Sequence, residues 1–272
     1  MKIMIMTDLE GVAGVLDFEN WCRNDSRYKD KGKRLLSLEV NAAIEAFLQA
    51  GFDQIEVADG HGSGAIDPEL LHPLARLRRG GFRPTYPMGL DRGVDAYAVV
   101  GQHAKSRTPY SHLTHTQSCA TLYCSVNGYE IGEFGEGAFC AAELGIPTIF
   151  ASGEKALCLE AEELAPGIVC AAVKEGILPD DYDHYDRKSY AAAKLSAIHL
   201  SPSAARELIG QKAAEAAKKF FSSPESFSYR KLSAPYEIIR SFRASEGQPP
   251  RTLISRHPSS FIAAMNAERI EQ

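Results

Sequence analysis

Lys2-Ile3-Met4-Ile5-Met6-Thr7 is the stretch on which the fold turns, and Asp8-Leu9-Glu10 cuts it off. A short apolar, β-prone run closed by acids reads as a strand buried on both faces. That is the mark of a parallel sheet between layers of helix. Working outward, Leu36, Val40, Ile44 and Phe47 recur at helical spacing and predict a helix over 34–50, stopped by Gly51. Residues 54–58 (QIEVA), 95–101 (DAYAVVG), 147–152 (PTIFAS) and 167–173 (GIVCAAV) predict further strands. Helices are expected at 68–77, 136–144 and 154–164, and from Ser201-Pro202 to Phe221, with Pro at the first turn. Residues 120–132 predict a hairpin that turns at Asn127-Gly128. Residues 11–33, 222–234 and 243–258 read as loops, and the acidic, aromatic stretch 176–190 as a surface insertion.

Strand and helix alternate over 1–173. The expected fold class is therefore α/β, a doubly wound, mostly parallel sheet with helices on both faces. The expected division is a metal-binding catalytic domain over 1–175 and a smaller C-terminal α+β part over 176–272.

Bulk properties exclude several classes. Net charge is −5, and Arg76, Arg78 and Arg79 form the one tight basic cluster, which reads as a solvated helix end, so no nucleic-acid partner is expected. The opening MKIMIMTDLE is too short for a signal peptide, and no apolar run reaches membrane-spanning length. The six Cys contain no CxxC pair. Together these point to a reduced, cytoplasmic protein with no membrane partner.

Asp8 and Glu10, His61, His103 and Glu133 each follow an apolar segment, and from Glu10 onward they stand some thirty to fifty residues apart. Strand ends of one sheet lie side by side, so such residues can converge. Two imidazoles and three carboxylates are the ligand set of a two-metal hydrolytic site. Four of these residues also have a plainer reading. Asp8 and Glu10 could be a solvated strand cap, His61 an exposed turn residue, and His103 a satisfied core histidine. Asp8 could instead be a phosphoryl-transfer nucleophile with Mg²⁺. That chemistry needs a second acidic pair and a Lys, which Gly153-Glu154-Lys155 only loosely supplies, and Mg²⁺ prefers oxygen ligands over His61 and His103. A non-catalytic peptide-binding module is the third possibility. His112 and His115 make the most imidazole-dense stretch, and one of them reads as a proton shuttle. Glu136 is a second candidate beside Glu133, and Asp59 could hydrogen-bond to His61 or to a neighbouring ligand.

These residues resemble the bacterial D-aminopeptidase family of dizinc peptidases. The resemblance lies in Met6-Thr7-Asp8-Leu9-Glu10-Gly11 with Gly14, Glu39-Val40-Asn41-Ala42, Asp59-Gly60-His61 and Val100-Gly101-Gln102-His103-Ala104. It continues in His112-Leu113-Thr114-His115-Thr116 and in Asn127-Gly128 with Gly132-Glu133, and covers about residues 1–175. It implies two Zn²⁺ per chain, bridged by Asp8, with Glu10, His61, His103 and Glu133 completing both shells. It implies that His115 is the catalytic histidine. It further implies aminopeptidase action on short peptides with D-residues at the amino terminus, and a ring-like homo-oligomer. Departures from the family pattern fall at Ala65-Ile66-Asp67, at Gly137 and at Gly153-Glu154. They leave the implied ligands intact and bear on substrate preference.

Overall fold

The computed structural model describes residues 1–82 and 84–272. Among the described residues, twelve strands form two sheets. The larger has the order β3-β2-β1-β4-β7-β8-β9, built from β1 (Lys2–Thr7), β2 (Gln54–Asp59), β3 (Ala75–Arg78), β4 (Ala96–Gln102), β7 (Thr148–Glu154), β8 (Val169–Gly176) and β9 (Ala197–His199). Every neighbouring pair is parallel except β8 with β9. The smaller sheet is antiparallel, in the order β12-β11-β10-β5-β6. It combines the hairpin β5 (Thr121–Val126) and β6 (Tyr129–Ile131) with β10 (Tyr236–Phe242), β11 (Arg251–His257) and β12 (Ile270–Glu271).

The apolar run of β1 serves two cores at once. Ile3 and Ile5 face one cluster, where α1 (Lys29–Ala50) and α5 (Pro202–Ser222) pack together. Met4 and Met6 face the other, beneath α2 (Glu133–Leu144) and α3 (Lys155–Leu164). Period-two alternation of side chains explains why a continuous apolar run is needed when both faces are covered. The fold class expected from the sequence is the one observed. Elements of the C-terminal hundred residues enter both sheets' surroundings: α5 lies beside α1, and β10 pairs with β5 through Ile238↔Val126. Two short helices, α4 (Arg187–Ala193) and α6 (Phe261–Asn266), complete the chain.

Several local expectations are corrected. Residues 68–77 are not helical. Pro73 forces extended backbone before it, and Ala75–Arg78 joins the sheet edge with Ile55 opposite Ala75. Residues 243–258 contain β11, whose charged ends match its place beside an edge, where pairing rather than sequence decides. α1 begins at Lys29, earlier than 34, because the buried Lys29 ammonium donates to Cys22 O and Ser63 Oγ, both at 2.9 Å. α2 begins at Glu133, so this residue opens a helix after the hairpin, where the N-terminal dipole favours a carboxylate. Among the described residues, no helix is long and apolar enough to cross a membrane.

Candidate metal centre

The register of the larger sheet builds the site. Thr7, the last residue of β1, stands opposite Asp59 of β2 on one side and Val100 of β4 on the other. The chain segments just beyond, Asp8–Glu10, Gly60–His61 and Gly101–His103, must therefore lie together. Strand order reverses between β1 and β4, and the crevice beyond the strand ends at such a point is where ligands bind in open α/β sheets. Close approach of backbones is essential here. Asp8 N donates to Val100 O at 3.0 Å and Gly11 N to Gly101 O at 2.7 Å. Gly101 has φ +79°, and a Cβ on it would lie 2.1 Å from Asp8 O.

Seven side chains converge, six of them with an atom that could bind a metal. His61 Nδ1 lies 3.1 Å from Asp8 Oδ1 and 3.0 Å from Glu10 Oε2. His103 Nε2 lies 3.2 Å from Asp8 Oδ2 and 3.6 Å from Glu133 Oε1. His115 Nε2 lies 3.7 Å from the same Glu133 oxygen. Gln102 Nε2 donates to Asp8 Oδ2 at 3.0 Å. One potential donor atom from each of Asp8, Glu10 and His103 lies within 4.8 Å of the others, and the same holds for His103, His115 and Glu133.

The other ring nitrogens set the tautomers. His61 Nε2 donates to Cys22 O at 2.8 Å, His103 Nδ1 to Ala104 O at 2.8 Å, and His115 Nδ1 to Leu113 O at 3.0 Å. Each imidazole thereby turns a lone pair towards carboxylate oxygens. Lone pairs that face each other at 3.0–3.2 Å need a positive charge between them. His103 Nε2 and Glu10 Oε2 are buried and have no hydrogen-bond partner among the described residues. Such orphaned, converging donors of mixed N and O type, fixed by main-chain carbonyls, fit a zinc-like divalent cation.

The electrostatics agree. Burial pulls the His61 imidazole down, but Glu10 and Asp8 outweigh it and raise its pKa to about 11. Burial likewise opposes His103, whose contact with Asp8 and the nearby Glu133 raise it to about 10. Burial would raise Asp8, yet His103 and His61 hold it well below the ordinary carboxylate value. Glu10 is lowered against burial, chiefly by His61. Without a cation, protons on the imidazoles balance the carboxylates; a bound cation takes over that role.

Other candidates lie elsewhere. His112 is buried, and its Nε2 donates to Leu16 O at 3.2 Å. Burial, then Lys174 and His199, push it down to about 2, so it stays neutral. Glu136 turns inward to accept from Tyr86 Oη at 2.7 Å and Gln117 Nε2 at 2.8 Å. Asp59 does not orient His61. Its carboxylate accepts from Ala65 N at 3.0 Å and Ile66 N at 3.3 Å, and so holds the 60–66 turn closed.

Several contributors have no role at the site in the sequence reading. Phe18, in a single π-helical turn over Phe18–Cys22, sets its ring edge-on to His115 at 5.3 Å. Gln117 N donates to Glu133 Oε1 at 2.6 Å. Glu154 ties the His103 strand end to the His112–His115 loop, accepting from Ala104 N at 2.7 Å and His112 N at 2.6 Å. The buried Lys174 ammonium donates to Glu10 O.

The D-aminopeptidase family pattern matches residues 1–247. The chain belongs to the D-aminopeptidase family. A D-aminopeptidase of Bacillus subtilis (strain 168) is 29% identical over 216 residues, covering 79% of this chain and 73% of that relative. Among solved structures, the fold matches the Zn-dependent D-aminopeptidase DppA from Bacillus subtilis, described as a self-compartmentalizing protease. The TM-score is 0.83 at 22% identity, covering 98% of this chain and 95% of that one. The family resemblance read in the sequence is therefore borne out, and aminopeptidase activity is the activity of that family.

Proposed function

We propose that this chain is a zinc-dependent aminopeptidase that removes a D-residue from the amino terminus of short peptides at a pair of cations. The split of Asp8 carries the reading: Oδ1 faces His61 and Oδ2 faces His103. A carboxylate placed between two ligand groups suits a bridging role. His61, Glu10 and Asp8 would hold one Zn²⁺, and His103, Glu133 and Asp8 the other. Zinc, when bound, lowers the pKa of a water towards about 7 and polarises a carbonyl. That the Bacillus subtilis relative is a D-aminopeptidase, and that DppA is a Zn-dependent one, supports zinc as the metal and a D-residue as the one released.

The chain's own residues do the rest. His115, with Nδ1 committed to Leu113 O, keeps Nε2 free to exchange a proton with the leaving amine. Phe18 packs against its ring and limits its rotation. Cys22 O and Ala104 O keep His61 and His103 in the ligating tautomer. An Asp8 nucleophile is disfavoured, because both its oxygens are engaged. Lys155, the lysine that chemistry would need, points to Glu175 at 2.8 Å. The self-compartmentalizing description of the related structure supports a homo-oligomer.

The test is metal analysis of protein purified without added metal, joined to a dipeptide screen of both chiralities with His115→Ala as control. Zinc near two per chain and release of amino-terminal D-residues are expected. Cleavage confined to amino-blocked peptides, or turnover unchanged in His115→Ala, would overturn the reading.

A further inference from the structure

Two cavities of unequal size meet at the cluster. The outer one encloses about 740 Å³ and opens among His115, Arg23, Arg187 and Lys188, with Asp186 and Glu246 also on its wall. The inner one encloses about 140 Å³. Asp8, Glu133 and Gln102 border it, while Met6, Phe82, Met88, Tyr97, Val99 and Phe134 make the rest of its wall largely apolar.

Gln117 is the residue that lines both cavities together with the cluster's own edge. It is a fixed partition. Its φ is +63°, a left-handed conformation unusual for a side chain of this kind. Two hydrogen bonds hold it there: its main-chain N donates to Glu133 Oε1 at 2.6 Å, and its Nε2 to Glu136 Oε2 at 2.8 Å. The same Glu136 oxygen accepts from Tyr86 Oη at 2.7 Å, and Tyr86 is another wall of the inner pocket. The inner walls are thus tied together before any substrate arrives.

Resting on the aminopeptidase reading above, we propose that the inner pocket receives the side chain of the substrate's first residue, and that it selects apolar side chains no larger than a single ring. An enzyme that cuts after one residue needs room for one side chain on the amino-terminal side of the bond, and open space on the other. The two volumes divide in that way. An apolar cavity of ~150 Å³ holds one benzene, so about 140 Å³ accepts a branched aliphatic or phenyl group and excludes an indole. The apolar wall disfavours a charged side chain, which would lose its hydration without gaining a partner. Gln117 is then a specificity-determining residue, because it keeps the peptide beyond the cleaved bond in the outer cavity.

The test uses zinc-loaded, full-length protein and a dipeptide series of the cleaved chirality that varies only the first residue: Ala, Leu, Phe, Trp, Lys and Glu. A methylene in an apolar pocket changes kcat/KM by about 10-fold or more. Leu- and Phe-first peptides should exceed Ala-first by at least about that factor, with Trp, Lys and Glu well below. Met88→Trp fills the pocket and should lower the Phe/Ala ratio of kcat/KM by about 10-fold. Phe82→Ala widens it and should raise the Trp/Phe ratio. Both variants are checked for an unchanged zinc content and a cooperative melt, so a folding defect is seen directly. Cleavage of Lys- or Glu-first peptides as fast as Leu-first overturns the proposal, as do ratios that neither variant moves. If no peptide of the series is cleaved at all, the aminopeptidase reading itself has failed, a result distinct from unselective cleavage.

Discussion

The imidazoles of His103 and His115 lie stacked, with centroids 4.1 Å apart and planes 16° from parallel. Both donate through Nδ1 to a main-chain carbonyl, and both present Nε2 to Glu133 Oε1. Burial separates their tasks. His103 is 1% exposed, while His115 lines the outer cavity. A buried imidazole facing carboxylates suits a cation, and one at the cavity wall can reach a substrate.

Replacing His115 by Ala should therefore lower kcat by about 10²- to 10⁴-fold, the usual worth of a positioned acid or base, with bound zinc retained. Replacing His103 by Ala should lose zinc as well as turnover. Metal analysis beside steady-state kinetics separates the two. Equal zinc loss in both variants would assign His115 to the cation instead.

Glu154 joins the segments that carry these two rings, accepting from Ala104 N and His112 N. Glu154→Ala leaves two buried N–H groups without partners, at about 1–3 kcal/mol each. Glu154→Gln keeps an acceptor and should lose less. Urea unfolding of the pair should show the Ala variant less stable by about 2 kcal/mol or more than the Gln variant. Equal midpoints and slopes would remove Glu154 as the tie.

What was legible in the sequence follows from what each residue's identity can encode. A central parallel strand buried on both faces must be apolar throughout, so Ile3–Met6 announced themselves. Position after such strands brought out Asp8, His61 and His103. β11 was missed because Arg251 and His257 look like loop residues, and its pairing with β10 is a property of the partner. The tautomers were hidden for a related reason. Cys22 O, Ala104 O and Leu113 O are main-chain groups, and any residue there would supply them. Asp59 was expected to reach His61, yet unpaired N–H groups at Ala65 and Ile66 lay nearer.

Glu39 makes stability depend on pH. It is buried on α1, and its Oε1 accepts from Ala13 N at 3.0 Å while Oε2 has no partner among the described residues. Burial raises its carboxyl from 4.5 to about 8. The folded chain thus keeps a proton that the unfolded chain releases above pH about 4.5. Its contribution to stability is complete below that value and declines as pH rises towards 8, by an order of magnitude of 4 kcal/mol. Glu39→Gln, which mimics the neutral acid, should flatten the curve, so that the variant gains on the wild type between pH 5 and pH 8. Parallel curves across that range would show that Glu39 is ionised in the folded chain.

Gly101 and Gly128 both have left-handed backbone, at φ +79° and φ +82°, but only one is hemmed in. A Cβ on Gly101 would meet Asp8 O at 2.1 Å, whereas one on Gly128 meets nothing within 4 Å. Gly128→Ala should cost about 1 kcal/mol, the conformational penalty alone. Gly101→Ala should cost about 3 kcal/mol. Because it pushes on the residue that faces both His61 and His103, it should also weaken zinc retention in a chelator competition. Gly128→Ala, on the hairpin turn, should leave zinc retention unchanged. If both variants hold zinc like the wild type, the close approach of β1 and β4 shapes the fold without setting the position of Asp8.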